Sequence, residues 1–227
     1  VEWFPSISPD GEWVVYAGET GARRHLFLQR VGGQNPQDIS GAESTADDDQ
    51  PAFSPDGKHI AFRSSRDGGG LFVMGMTGEE VRRVSRAGYR PAWSPDGKQL
   101  AYTIEKVELN PQNAVRMSEL WTVDVETGDA RRLSMLDAVM PSWSPNNRRI
   151  AYTGRMEGAN FQHVDIWTVP VEGGTPARVT DDTENDWSPT WSPDGRYLYF
   201  SSDRGGSMNL WRVRVDESSG RRLGEPE

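Results

Sequence analysis

Short apolar runs of about five residues recur along the chain, separated by clusters of glycine, proline, asparagine and aspartate. The runs are rich in β-branched and aromatic residues, which is typical of β-strands. They fall into five repeated units, each with a Pro-x-apolar run, a hydrophobic cluster, an apolar-aromatic pair and a final aliphatic residue. The hydrophobic clusters mark the repeat at residues 14–16, 60–62, 100–102, 150–152 and 198–200. The pattern therefore predicts four short strands in every unit.

A four-residue turn separates the first and second runs of each unit. Its sequence is Ser-Pro-Asp-Gly at residues 8–11, 54–57, 94–97 and 192–195, and Ser-Pro-Asn-Asn at residues 144–147. Proline presets φ, the aspartate side chain accepts bonds from nearby backbone amides, and glycine adopts positive φ without strain. Asparagine tolerates the left-handed conformation better than other non-glycine residues, so the fourth copy fits the same turn. We expect these turns to hold strand pairs together rather than to contact a ligand.

Units of 40 to 50 residues with four strands each are typical of propeller blades. The sequence therefore predicts an all-β protein, a β-propeller of five four-stranded antiparallel blades. The blades are expected at residues 1–40, 49–85, 89–134, 139–180 and 187–224 of a single domain spanning residues 1–227.

The sequence Pro-Ala-Trp-Ser-Pro-Asp-Gly-Lys at residues 91–98 carries a resemblance to a known family. Its repetition along essentially the whole chain resembles the TolB-like, or WD-repeat-like, β-propeller family. The namesake of that family has six blades, so the resemblance adds a second interpretation, an incomplete six-bladed propeller with its sixth blade in a longer parent. The chain starts at an innermost strand and ends just after an outermost one, which favours this second interpretation slightly.

The resemblance also implies a setting and a partner. TolB-like propellers belong to periplasmic or sensory contexts, and the namesake binds a lipoprotein. Related propellers are joined to bacterial serine/threonine kinases, winged-helix regulators and peptidases. The resemblance thus implies a periplasmic or otherwise extracytoplasmic location, with a cytoplasmic location left open, and a protein or peptide partner, with a small ligand as the alternative.

Composition narrows the range of partners. The chain has 25 lysines and arginines against 34 aspartates and glutamates, a net charge of -9. An acidic surface argues against nucleic acid and anionic lipid as partners. No apolar run approaches the roughly 20 residues of a membrane helix, so we expect no membrane insertion. The absence of cysteine excludes disulfides and thiolate metal sites. We expect no cofactor.

The units differ most where each first run begins. Two residues before the repeat proline they read Trp3, Asp49, Tyr89, Val139 and Trp187, and one residue earlier Glu2, Asp48, Gly88, Ala138 and Asp186. In a propeller these positions enter the innermost strands near the mouth of the central channel, where rings beside carboxylates hold cationic or peptide-like groups. The predicted ligand-binding residues are Trp3, Asp48, Asp49, Tyr89, Arg90, Asp186 and Trp187. The alternative is that the rings only cap the interfaces between blades.

Long and acidic loops are expected on the same face as the channel mouth. The long loops cover residues 105–118 and 155–164, and the acidic loops cover residues 43–49 and 181–186. Loops on a rigid scaffold often carry binding residues. The acidic loops lack the alternate spacing and the glycine of a calcium-binding loop, so we predict no metal site.

Sequence signals for catalysis are weak. The three histidines lack a partner motif, and no Gly-x-Ser-x-Gly elbow occurs. We therefore expect a non-enzymatic propeller that docks a protein, peptide or small ligand on the channel-mouth face, as a module of a larger bacterial protein such as a kinase or transcriptional regulator. Two alternatives remain open: a propeller that gates substrate entry to a serine hydrolase or peptidase, and a purely structural spacer.

Overall fold

The computed structural model of the chain describes residues 2–41, 43–104, 118–134, 137–155 and 163–227. These residues form five sheets of four strands each. The predicted long loops at residues 105–118 and 155–164 lie almost entirely outside the described residues.

The strands follow the repeat. The first sheet contains β1 (Glu2–Ile7), β2 (Trp13–Thr20), β3 (Arg23–Arg30) and β4 (Gln37–Asp38). The second contains β5 (Asp48–Phe53), β6 (His59–Ser64), β7 (Gly70–Gly75) and β8 (Arg82–Ser85), with a short 3-10 turn at Arg66–Gly68. The third contains β9 (Tyr89–Trp93), β10 (Gln99–Thr103), β11 (Leu120–Asp124) and β12 (Ala130–Ser134). The fourth contains β13 (Ala138–Trp143), β14 (Arg149–Gly154), β15 (Asp165–Pro170) and β16 (Ala177–Arg178). The fifth contains β17 (Asp186–Trp191), β18 (Tyr197–Ser202), β19 (Asn209–Asp216) and β20 (Arg221–Arg222).

Within each sheet the strands lie side by side in chain order. Neighbouring strands are antiparallel, as the pairing of β1 with β2 and of β2 with β3 illustrates. The predicted architecture of five four-stranded antiparallel blades is therefore confirmed.

The chain divides into two compact units. Unit one comprises Val1–Leu100 and Val123–Ala130, and unit two comprises Ala101–Thr122 and Arg131–Glu227. Unit one contains the first two sheets complete, and unit two contains the last two. The expectation of a single domain stays a prediction.

Each unit has a core built from consecutive sheets. The core of unit one consists of Val15, Ala17, Leu26, Leu28, Ile39, Phe53, Ile60, Phe62, Phe72 and Met74. A core in unit two consists of Ala151, Ile166, Val179, Trp191, Leu198, Phe200, Val213 and Val215. Burying a large apolar side chain contributes roughly 1.5–3 kcal/mol, so packing between blades is a main source of stability.

The repeated turn is held by a small network of side-chain bonds. In the second sheet the Ser54 hydroxyl donates to Asp56 Oδ1 at 2.6 Å, and the same oxygen accepts the Lys58 N–H at 3.1 Å. Ser54 Oγ also accepts the His59 N–H at 2.9 Å. The same bonds recur in the other turns, with Asn146 in place of aspartate in the fourth. These bonds confirm that the turn holds its strand pair together. The expectation that the turns contact no ligand stays a prediction.

The turn network makes stability dependent on pH. The serine hydroxyl is the main reason why the pKa values of Asp10, Asp56 and Asp194 lie below the usual 3.8. A carboxyl whose pKa is lowered by folding stabilises the fold at pH values above its pKa in the unfolded chain. This stability is lost as the pH falls through its pKa in the folded protein.

Ser54→Ala should lower the free energy of unfolding by about 1–2 kcal/mol at neutral pH. Between about pH 5 and pH 3 the variant should also lose less stability than the unsubstituted protein does. Urea unfolding at a series of pH values measures both effects. An unchanged pH dependence would argue against this role of the hydroxyl.

Candidate functional site

Every first strand contains a residue in the left-handed conformation directly before the repeat proline. The φ angles lie between +54° and +55° at Phe4, Gln50, Arg90, Met140 and Ser188. The pairing register shifts at the same point, as in the step from Trp3 opposite Ala17 to Ser6 opposite Val15. This extra residue is a β-bulge, a feature that redirects side chains. The left-handed conformation costs a non-glycine residue roughly 1–2 kcal/mol, so the surrounding fold must enforce it.

In unit one the bulges bring three sheets together. The Arg90 guanidinium lies over the Phe4 ring, with 4.4 Å from Cζ to the ring centroid. The Arg90 N–H donates to Gln50 Oε1 at 2.7 Å. Because these three residues come from β1, β5 and β9, the bulges position one residue from each first strand at a common point.

A second arginine lies next to this point. The Arg63 guanidinium is 4.6 Å from the centroid of the Tyr89 ring, and its Nη2 donates to the Tyr89 hydroxyl at 3.4 Å. Tyr89 precedes Arg90 in β9, and both are half-buried. We call Phe4, Gln50, Arg63, Tyr89 and Arg90 the first-strand cluster.

The first-strand cluster carries positive charge. Burial lowers the pKa of Arg90, and the negative charge of Asp49 opposes this shift. Asp49 is itself buried and lies 2.9 Å from Arg24 Nη1. Within the described ranges, neither Arg63 nor Arg90 has a carboxylate oxygen within 4.0 Å. The lowered pKa reflects the cost of removing a cation from water.

The structure gives Asp48 and Asp186 partners inside their own sheets. Both residues are fully buried. Asp48 pairs with Arg66, and Asp186 accepts bonds from Arg204 Nη2 at 2.9 and 3.0 Å. Each arginine also donates from Nε to the hydroxyl of a serine two residues earlier, at 2.9 Å. A buried carboxylate requires a paired cation, and this pairing removes both carboxylates from the surface that a ligand would meet.

The two predicted tryptophans lie in different units. Trp3 is half-buried and packs against the core of unit one. Trp187 is half-buried in unit two, opposite Ser201 in β18. In unit two the bulge residues Met140 and Ser188 contact each other, with 3.0 Å between Sδ and Oγ. Of the predicted residues, Asp49, Tyr89 and Arg90 therefore lie at or beside the first-strand cluster.

Arginines pair with acidic residues in and near the 181–186 loop of unit two. Arg204 is 3.1 Å from Asp182 Oδ2 in addition to its bonds with Asp186. Asp165 lies 2.8 Å from Arg178. Burial raises the pKa of Asp165 to about 6, Arg178 opposes the shift, and the neighbouring aspartates increase it.

In the part of the chain that the structure describes, no three acidic or histidine side chains are grouped to hold a metal ion. Over the same residues no helix has the length and apolar character needed to cross a bilayer.

Sequence reasoning missed Phe4, Gln50 and Arg63. Two of them occupy the position before the repeat proline, which differs in all five units and was a usable signal. The buried ion pairs also had a signal. Units two and five share an aspartate at the start of the first strand and a Ser-x-Arg sequence after the second.

The chain is similar in sequence to a known family of propeller domains and to two known proteins. Residues 25–225 match the family model described as the tricorn protease N-terminal β-propeller domain. An uncharacterised protein of Agrobacterium fabrum is 42% identical over 66 residues, which cover 29% of this chain and 22% of that protein. Dipeptidyl-peptidase 5 of Porphyromonas gingivalis is 37% identical over 46 residues, 20% of this chain and 7% of that protein. The matches thus span less than a quarter of these relatives.

Solved structures share the fold. A candidate TolB from Agrobacterium tumefaciens has a TM-score of 0.77 at 22% identity, over 100% of this chain and 79% of that one. TolB from Acinetobacter baumannii has a TM-score of 0.71 at 20% identity, over 94% and 52%. Puromycin hydrolase has a TM-score of 0.69 at 18% identity, over 98% and 38%. The predicted TolB-like propeller fold is confirmed.

Proposed function

Because the chain belongs to the family of tricorn protease N-terminal β-propeller domains, we propose that it is a binding domain without catalysis of its own. It docks a protein or peptide through the first-strand cluster, which recognises an anionic group such as a carboxylate. One observation carries this proposal. Arg63 and Arg90 stack on aromatic rings, and no carboxylate oxygen of the described residues lies within 4.0 Å of either guanidinium.

The chemistry of the cluster favours an anion. A guanidinium stays charged at ordinary pH and presents five N–H donors in a fork that matches a carboxylate. An anion would offset the burial cost that lowers the pKa of Arg90. The sequence suggested a cationic or peptide-like group on the rings. We propose the opposite charge because the Phe4 and Tyr89 rings already hold arginines of the chain.

We further propose that the domain is a sensing or docking module of a larger bacterial protein in the periplasm or elsewhere outside the cytoplasm. The similarity in fold to TolB structures supports this location. Fractionation of cells that express the parent protein tests it, and recovery with the cytoplasmic fraction would contradict it.

The anionic specificity is tested with a minimal probe. N-acetyl-dialanine with a free carboxylate should bind the protein, and its amide should bind much more weakly, in NMR titrations. A charge-assisted hydrogen bond contributes roughly 1.5–3 kcal/mol. Arg90→Met should therefore weaken binding of the acid at least about tenfold.

Arg30→Met is the matched control. The Arg30 side chain is 68% exposed and pairs with Glu12 outside the first-strand cluster. This variant should bind the acid with unchanged affinity. Equal binding of acid and amide, or full affinity in both Arg63→Met and Arg90→Met, would refute the site and favour the structural spacer.

A second candidate is a propeller that gates a serine peptidase. The family description and the 37% identity with dipeptidyl-peptidase 5 favour it. A parent protein with a Gly-x-Ser-x-Gly elbow after the propeller, and peptide hydrolysis that depends on that serine, would support this candidate. A parent without such an elbow would argue against it.

A further inference from the structure

A recess lies at the end of the sheets that carries the repeated turns. It is a pocket of about 430 Å³ between the second and third sheets, entirely within unit one. Two turns, residues 54–56 and 95–97, line it together with His59, Arg82 and Trp93. It shares no residue with the first-strand cluster.

The position that His59 holds in the repeat is occupied by other residue types in the other sheets. In every sheet the residue five places after the turn serine donates its N–H to that serine's hydroxyl. These residues are Trp13, His59, Gln99, Arg149 and Tyr197. In unit one, Trp13 packs against the core together with Met76. A planar side chain therefore occupies the position equivalent to His59 in the first sheet.

The fourth sheet places an arginine there. Arg149 is only 5% exposed. Its Nε donates to Thr168 Oγ1 at 3.2 Å, and its Nη1 donates to the Ser218 carbonyl oxygen, in the fifth sheet's last loop, at 3.4 Å. A guanidinium thus bridges two successive sheets at this end of unit two.

Between the second and third sheets the equivalent space is open. The His59 side chain is 50% exposed and does not fill it. Trp93 is half-buried, whereas Trp191, which holds the same repeat position in the sheet next to that of Arg149, is only 6% exposed. The ring of Trp93 is thus accessible in the pocket, whereas the equivalent ring of Trp191 is covered where Arg149 fills the space.

We propose that this pocket binds the guanidinium of an arginine side chain that a peptide or partner protein supplies. The Trp93 ring provides a face on which a guanidinium stacks. Asp56 and Asp96 line the pocket and provide negative charge. The cation already present, Arg82, donates to the Val125 carbonyl oxygen at 2.5 Å and is thereby engaged.

The turn network favours the ionised form of the Asp56 carboxylate. The Ser54 hydroxyl is the main cause of the lowered pKa of Asp56, and burial opposes it only in part. In unit two, burial lowers the pKa of Arg149, and the negative charges of Asp216 and Glu217 oppose this shift. Acidic groups therefore accompany the guanidinium that the protein itself supplies.

The probe for this site is N-acetyl-L-arginine N-methylamide, with the citrulline analogue as its neutral isostere. The arginine probe should bind with a dissociation constant on the order of 1 mM and shift the indole signal of Trp93 in NMR titrations. The Trp93 Nε1–H donates to the Ala52 carbonyl oxygen at 3.0 Å, which gives this indole a defined environment. The citrulline probe should bind at least about tenfold more weakly.

Three variants locate the site. His59→Arg should abolish probe binding, because its side chain can fill the pocket as Arg149 fills the equivalent space. The double variant Asp56→Asn/Asp96→Asn should weaken binding about tenfold. The turn accepts this change, since Asn146 makes the same bonds in the fourth copy. Asp194→Asn makes the same substitution in the fifth turn and should leave binding unchanged.

Circular dichroism and thermal melting verify that each variant is folded. No binding of the arginine probe at about twenty times the expected dissociation constant would overturn the proposal. Equal binding of the citrulline probe, or full binding by His59→Arg, would also overturn it. The site at the first strands is tested with a different probe, so the two results are independent.

Discussion

Replacing Asp48 by alanine should lower the free energy of unfolding by about 3–5 kcal/mol, measured by urea unfolding. The carboxylate is fully buried and pairs with Arg66. Arg66 lies over the Phe62 and Phe72 rings, 5.3 and 5.8 Å from their centroids. Among the described residues, Asp48 is the one carboxylate within 4.0 Å of Arg66. The substitution therefore leaves a largely enclosed cation without its counter-charge.

The equivalent substitution in the fifth sheet provides a comparison. Asp186→Ala should cost less than Asp48→Ala, because Arg204 keeps a second carboxylate, Asp182, at 3.1 Å. The double variant Asp48→Ala/Arg66→Met should recover most of the lost stability, since an apolar side chain can replace a buried ion pair. A loss below about 1 kcal/mol for Asp48→Ala, or no recovery in the double variant, would show that the pair is not structural.

The fold could be predicted because its signals are local and repeated five times. The Ser-Pro-Asp-Gly turn encodes its own hydrogen bonds, and even the substitution of Asn147 for glycine was interpretable, since its φ of +62° is one that asparagine tolerates. Each strand needs only a few apolar residues between such turns. Local chemistry thus determined the order of strands within every sheet.

The candidate site was harder to predict because it depends on contacts between sheets. The position before the repeat proline gave no sign of the bulge, since a residue before proline ordinarily favours extended backbone. The contact between Phe4 and Arg90 joins residues 86 positions apart in the sequence. The burial of two acidic residues could not be predicted for a related reason. The partners of Asp48 and Asp186, Arg66 and Arg204, lie two strands and a turn further along the chain.

The largest contrast within one repeat position is expected between Ile166 and Leu210. Both precede the aromatic residue of the third strand. Ile166 is fully buried in the core of unit two, as are its counterparts Leu26, Leu71 and Leu120 in their own sheets, whereas Leu210 is 73% exposed. Ile166→Ala should lower the free energy of unfolding by about 2–5 kcal/mol, and Leu210→Ala should change it by less than about 0.5 kcal/mol.

The two positions are equivalent in the repeat but differ in what packs over them. Comparing the two variants therefore isolates the effect of burial on stability. Urea unfolding at two protein concentrations measures both variants. A cost for Leu210→Ala above about 1 kcal/mol at either concentration would contradict the exposed position of this side chain. If that cost grew with concentration, self-association would be covering Leu210, because mass action stabilises an associated state. A cost independent of concentration would instead require packing within the chain itself. Ile166→Ala is the control for the effect of protein concentration. Its loss of stability arises from burial within one unit and should not vary with concentration.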